Sequence, residues 1–565
     1  MIYCKKRKLA FLVCSVLVCG IFLVFEFFPQ SAHIKENNRV TFSKESGFYD
    51  EEFMLELSAL EGEIYYTLDG SIPDRTSKRY EEPILIYDAT ENENVHSMRT
   101  DVSTGFEVEE IERVGSETPP GYQVPNYKVD KATIIRAVAY DKLGEKSEVA
   151  SASYFVGFSE KEVYDGMNVL SIVTEPDNLF DYENGIYVTG KAYDEYKEKY
   201  RYTEQWYFTE EYHLSWGANY QNRGMKWERD ASCLFFDEQG RLKLEQECGI
   251  RIHGGDSRGL TPKSLNIYAR KEYDGNKMLQ ADLFETGYYP AAVTLFQGGN
   301  EYRTRAKDFL IASEIKDMNI GSMNFEPYVL FLNGEYWGVY WLNEKYDKNY
   351  LEYYYDVKPD NVIIIKSGGL EEGEEEDFKY YQEMLDYCSK SDLTQNAEFE
   401  KVCEMIDINS YVDYYAVMLF SARCVDWPEY NFILWRTKKT EGGIYGDGKW
   451  RWMVFDMNSE GFDADFDSVE HVMKNDAMFN NMMSNKMFRK MLFERIEEVM
   501  EIYDYEKMKL RVEEYRNFIL EKVRQHDKRF FGDDSADIFN AEMDAIDEFF
   551  KNRGAYMQFI LEKYR

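Results

Sequence analysis

Pro428 leaves the stretch around it few ways to fold. Upstream, Val412, Tyr415, Ala416 and Leu419 recur at helical spacing, with Asn409 or Ser410 available as a cap. A proline has no backbone N–H and its ring clashes with the preceding turn, so the helix must end before Asp426-Trp427-Pro428. Asn431 then opens an apolar arm, Phe432 to Trp435. Gly442-Gly443 and Gly446-Asp447-Gly448 supply turn residues, and Trp450, Trp452 and Val454 alternate along a return arm ending at Asp456. In an antiparallel hairpin the start of one arm lies beside the end of the other. Asp426, Asn431 and Asp456 are therefore predicted to converge at one end of one hairpin.

Two carboxylates and an amide are hard oxygen donors of the kind Mg²⁺ prefers. An Asp, an Asn five residues on and a second Asp after a return strand is also the oxygen set of protein kinases. There the first Asp orients the accepting hydroxyl, and the other two hold Mg²⁺ on the phosphates of ATP. A second constellation is Arg251-Ile252-His253-Gly254-Gly255-Asp256-Ser257-Arg258-Gly259, followed by Pro262-Lys263-Ser264. A glycine turn between strands presents backbone N–H groups, and Arg258 and Lys263 add cations, so phosphates are the expected guest. It is neither a Walker motif nor G-x-G-x-x-G. A turn-capping Asp, a strand-opening Asn and a plain glycine hairpin are the alternatives, and convergence favours the site.

Composition narrows the partners. The 565 residues hold 67 Lys+Arg against 104 Asp+Glu, a net charge of −37, which excludes a nucleic-acid backbone as the main partner. Aromatics at 16%, including 46 Tyr, exclude a disordered acidic chain. Cys233, Cys248, Cys388, Cys403 and Cys424 are odd in number and scattered, as are the six histidines, so neither a disulfide framework nor a zinc site is legible.

The termini differ from the middle. Leu9 to Phe25 is apolar or small throughout and follows Lys5-Lys6-Arg7-Lys8, which predicts a signal anchor over 9–28 behind a cytoplasmic basic tail over 1–8. A cleaved signal peptide is the rival, but no clear small-x-small cleavage site follows. From Thr41 to Val156 short alternating runs predict an all-β sandwich interrupted by a polar stretch between Tyr87 and Lys131. Asn333-Gly334 between Pro327–Leu332 and Trp337–Leu342 is a hairpin signal. After Met482, helical spacing predicts a C-terminal helical region.

Two resemblances follow from these residues. Ile64-Tyr65-Tyr66-Thr67-Leu68-Asp69-Gly70-Ser71-Ile72-Pro73, with Ile135-Arg136-Ala137-Val138-Ala139, resembles a chitobiase C-terminal-type β-sandwich, which implies a spacer over 41–156. Ile252-His253-Gly254-Gly255 with Ser257-Arg258 and Lys263-Ser264, Arg305 and Asp308, Leu332 to Tyr340 with Glu344, Asp426 with Asn431, and Trp452 to Asp456 with Gly461-Phe462 resemble the CotH (spore coat protein H) kinase family. That likeness implies an α+β, atypical protein-kinase-like domain over 165–490, with 491–565 as a helical extension. It implies Asp426 as catalytic aspartate, Asn431 and Asp456 as metal ligands, and Arg258, Lys263 and Glu344 around the nucleotide. ATP and Mg²⁺ or Mn²⁺ would be the cofactors. The family often carries an Asp two residues beyond its metal-binding one, where this chain has Asn458.

The expected whole is a single-pass membrane protein, its bulk extracytoplasmic, that transfers the ATP γ-phosphoryl group to hydroxyls of a surface or spore-coat protein. A non-catalytic surface, spore-coat or adhesion protein with the same fold is the alternative. A glycoside hydrolase lacks any legible acid pair.

Overall fold

The computed structural model describes residues 38–104, 121–200, 217–424, 426–458 and 462–565. The N-terminal region is β-rich. Two short pairs, β1 (Thr41–Phe42) with β4 (Leu57–Ser58) and β3 (Phe53–Leu55) with β7 (Ile84–Ile86), flank a five-stranded sheet. That sheet runs β2 (Gly47–Tyr49), β9 (Ala150–Val156), β8 (Thr133–Tyr140), β5 (Glu63–Thr67), β6 (Lys78–Arg79). It is not a free spacer. Ser151 and Ser153 hydroxyls bond those of Ser232 and Ser171, each at 2.8 Å. Phe155 packs at 5.0 Å on Phe331 and 5.4 Å on Phe236, so its side chain belongs to the next domain's core. The polar stretch is docked too: the Glu335 carboxylate accepts backbone N–H groups of Val95, His96 and Ser97.

Seven strands then close a barrel: β10 (Asn168–Val173), β11 (Arg229–Phe236), β12 (Leu242–Ile252), β13 (Leu265–Tyr268), β14 (Ala292–Phe296), β15 (Phe325–Leu332) and β16 (Glu335–Glu344), in the order β10-β11-β12-β13-β14-β16-β15. Parallel pairing of β10 with β15 makes the closure, and the other pairs are antiparallel. The β15–β16 turn is the one expected. Asn333 and Gly334 both take positive φ, 45° and 84°, as a turn matched to strand twist demands. Every residue of β16 is buried, because its outer face is covered as well. Gly338 lies there at φ 101°, and a Cβ on it would meet His526 Nδ1 at 2.6 Å. Only glycine lets a helix come this close to the strand.

A four-stranded sheet follows: β17 (Val362–Lys366), β18 (Gly369–Glu372), β19 (Ile433–Thr437) and β20 (Arg451–Met453), ordered β18-β17-β19-β20. The helices that matter here are α1 (Lys307–Glu314), α2 (Ile408–Phe420), α3 (Lys486–Ile502), α4 (Tyr505–Phe531) and α5 (Ala536–Tyr564). Asp407, not Asn409 or Ser410, caps α2: its carboxylate accepts the N–H groups of both. From Ser410 to Phe420 all of α2 is buried, as a helix apolar on every face must be. Its orphan C-terminal carbonyls are met by buried Arg553 of α5, which donates to Phe420 O at 2.8 Å and Leu419 O at 2.6 Å. The C-terminal helices thus complete the core instead of trailing from it.

The expected fold class needs correction. The architecture is mixed α/β with a β-rich N-terminal region, and the single transmembrane helix is not supported. Among the described residues no helix is long and apolar enough to cross a membrane. The long helices α4 and α5, 27 and 29 residues, carry charges along their length. The apolar segment 9–28 lies outside the described residues.

Candidate functional site

The hairpin forms as its residues require. In β19–β20, Ile433 stands opposite Met453 and Trp435 opposite Arg451, so Asn431 and Asp456 both lie just beyond the same end. Both adopt left-handed backbone, φ 54° and 56°. Asparagine and aspartate tolerate this better than most residues, at about 1 kcal/mol or more each. Such local cost persists where surrounding contacts over-determine it.

Those contacts centre on Arg423, which is 1% exposed at its side chain. One of its nitrogens donates to Asp426 Oδ1 at 2.6 Å and another to the backbone carbonyl of Asp456. The Asn431 amide donates to Asp426 Oδ2 at 2.6 Å, so both oxygens of Asp426 are held. Asn431 N–H in turn donates to Ser367 Oγ at the end of β17. The three residues expected to meet do meet, through one guanidinium and one amide.

Asp308, in the first turn of α1, completes the group. Its oxygens accept from Met457 N–H at 2.6 Å and the Asn458 amide at 2.8 Å, and that amide also donates to Asp456 Oδ1 at 2.6 Å. Asn458 therefore bridges two carboxylates through N–H donors, where an Asp would add a third negative charge. Burial, first, and then the charges of Asp308 and Asp426 push Asp456 up to about 6, against the opposing pull of Arg423. Asp308 is raised as well, chiefly by burial. The likeness carried Asp308 but assigned it no role. No local pattern links it to a hairpin some 150 residues away.

The glycine turn is linked to this end of the sheet through cations. His253 follows the last residue of β12, just before Gly254-Gly255, and its pKa is lowered to about 3 by burial and by the positive charges of Lys366, Lys345, Arg258 and Arg223. Lys366, the last residue of β17, lies opposite Ile433 and places its ammonium 4.2 Å from the Phe455 ring centre, one residue from Asp456. Burial lowers the Lys366 pKa first, and the negative charge of Asp456 is among the influences opposing this.

The other expected residues stand differently. Lys263 is fully buried. Its ammonium donates to the carbonyls of Arg258 and Leu260 and lies 3.6 Å from the centre of the Tyr220 ring. Arg258 donates to the carbonyls of Gly254, Tyr220 and Asn222, and burial lowers it to about 10. Both shape the turn from within. Glu344, 1% exposed at the end of β16, accepts from Asn324 N–H and Nδ2 and from Tyr354 O–H at 2.6 Å. It ties the barrel to the tyrosine-rich helix at 348–355.

The donor set suits a hard divalent ion. Among the described residues, Asp456 Oδ2 and Asn431 Oδ1 receive no hydrogen bond, and positive charge would relieve the repulsion around Asp456. Mg²⁺ takes one or two protein oxygens and completes its shell with water and phosphate, so these two oxygens suit it.

Two family models match the chain. Residues 250–557, more than half of the chain, match the family model described as CotH kinase protein. Residues 53–154 match the model described as Fn3 associated, so the chitobiase-type resemblance gives way to that description. No curated protein matches the chain.

Proposed function

This chain belongs to the CotH kinase protein family, and from that premise we propose that it transfers the γ-phosphoryl group of ATP to a hydroxyl of a protein acceptor, of spore-coat or surface type. The observation that carries the reading is the convergence of Asp426, Asn431 and Asp456 on one hairpin end, around Arg423. Asn431 and Asp456 would hold Mg²⁺ or Mn²⁺, which when bound neutralises phosphate charge.

Asp426 orients the acceptor hydroxyl and takes its proton as that oxygen bonds to the γ-phosphorus. The bond from this phosphorus to the bridging oxygen breaks, and ADP leaves with the electron pair. Arg423 and Asn431 fix both oxygens of Asp426, and a loose transition state gains more from such orientation than from basicity. Arg258 and Lys263 keep the glycine turn in shape, leaving its N–H groups to the phosphates.

A second reading is a non-catalytic spore-coat protein that keeps the fold. The engagement of Lys263 with backbone carbonyls favours it, since that ammonium is turned into the loop. One assay separates the two: the purified full chain is incubated with γ-labelled ATP, Mg²⁺ or Mn²⁺ and a mixed protein acceptor, beside Asp456→Ala and Asp426→Asn. Label on protein is expected for the native chain, with none for Asp456→Ala. Asp426→Asn should retain nucleotide binding while transfer falls about a hundredfold or more. If the native chain shows no transfer and no metal-dependent nucleotide binding, the kinase reading is rejected.

A further inference from the structure

We infer that Lys366 is the cation that receives the nucleotide's phosphates, the role the sequence assigned to Lys263; the inference rests on the kinase reading above. Position is the first argument. Lys366 ends β17 directly opposite Ile433, two residues from Asn431, and its neighbour Ser367 accepts the Asn431 N–H at 3.1 Å. Its ammonium lies over Phe455, the residue before Asp456. It therefore stands at the same sheet end as both proposed metal ligands, on the strand that pairs with β19.

Partnership is the second argument. Among the described residues, Lys366 has no ion pair and no side-chain hydrogen bond, only the Phe455 ring. A half-buried ammonium held by an aromatic face still has three donors to offer a ligand. The chain carries −37 overall, with carboxylates to spare for pairing. Cations nevertheless collect here: Lys345, Arg223 and Arg258 act on the same neutral His253. Lys345 has a partner, Glu371 at 3.7 Å, and Arg258 is committed to carbonyls. The charge of Lys366 acts on His253 beside the glycine turn and is in turn acted on by Asp456, and its ammonium has donors in hand. An anion with several oxygens, such as a di- or triphosphate, is complementary to this ammonium in charge.

The same facts predict an unusual signature. A half-buried ammonium with no ion-pair partner, drawn only from a distance by Glu371 and Asp456, burdens the empty protein, so Lys366→Met should leave the metal-free chain as stable as the native one or more stable, while weakening phosphate binding. A structural lysine would do the reverse and lower the unfolding temperature. The experiment measures calorimetric binding of Mg²⁺–ATP, of adenosine and of inorganic tripolyphosphate to the native chain, Lys366→Met, Lys366→Arg and Lys263→Met, with thermal unfolding of each empty chain.

The expected result is a loss of about tenfold or more in ATP and tripolyphosphate affinity for Lys366→Met, with partial recovery in Lys366→Arg. Adenosine binding should be unchanged. Native binding of ATP that survives intact in Lys366→Met overturns the assignment and leaves the kinase reading in place. If the native chain binds no ATP, the kinase reading fails. Tripolyphosphate then judges Lys366 alone: equal binding by Lys366→Met rejects it, and weakened binding upholds it as an anion site.

Discussion

At the scale of single residues, the site is a negotiation between burial and charge. Asp456 is held near two other carboxylates, and Arg423 and Asn458 offset only part of the repulsion. Its folded-state pKa, about 6 against an ordinary 3.8, means that the native chain holds more protons than the unfolded one between these values. By linkage, metal-free stability is highest below about pH 4 for this group and declines as pH rises to about 6. Asp456→Asn removes the ionisation. In chelator at pH 7 the variant should be more stable than the native chain by about 1–3 kcal/mol, with the two converging near pH 4. Urea unfolding at several pH values checks this, and equal stability at pH 7 would show that Asp456 is under no such repulsion. Asn458 illustrates the same balance: its amide joins two carboxylates that a third acid would push apart.

At the scale of elements, caps and turns decide where strands and helices begin. Helix α2 starts one turn from the β20 strand, and Asp407 serves both. It accepts two N–H groups of α2 and pairs with buried Arg451 of β20 at 3.1 Å. Asp407→Ala should therefore cost about 2 kcal/mol, more than an isolated cap, because Arg451 keeps only Asp447 as an acid partner among the described residues. The denaturant midpoint of the full chain measures it; an unchanged midpoint would mean that packing of α2, not its cap, sets the boundary. The expected caps Asn409 and Ser410 lie in the first turn, two and three residues inside the true one. Propensity placed the helix, and only the competing acid two residues upstream moved its start.

At the scale of the molecule, the N-terminal region and the barrel share one interior. Ile134, Phe155 and Phe158 lie in the same apolar cluster as Phe236, Phe331 and Tyr336. A chain beginning near residue 160 exposes that aromatic surface and loses the partners of Glu335. It is expected to aggregate or to unfold without a cooperative transition, judged by solubility and by melting beside the full chain. A soluble fragment with the native melting temperature would restore the spacer reading. The helices at the other end are as deeply engaged: Arg553 caps α2, and His526 accepts the Val339 N–H of β16 at 3.0 Å.

By itself the sequence determined what depends on neighbours along the chain. Pro428 set a limit that α2, ending at Phe420, respects; alternation built the β19–β20 hairpin, Asn333-Gly334 turned β15 into β16, and those local periods were enough to bring Asn431 and Asp456 together. Tertiary structure decided what depends on distant approach. Asp308 and Lys366 enter the cleft from elements far away in the chain, and no spacing announces them. Lys263 and Arg258 beside a glycine turn read as phosphate ligands, yet the loop's own carbonyls lay within reach and claimed them. A buried cation takes the nearest acceptor, and which acceptor is nearest is settled only when the chain has closed.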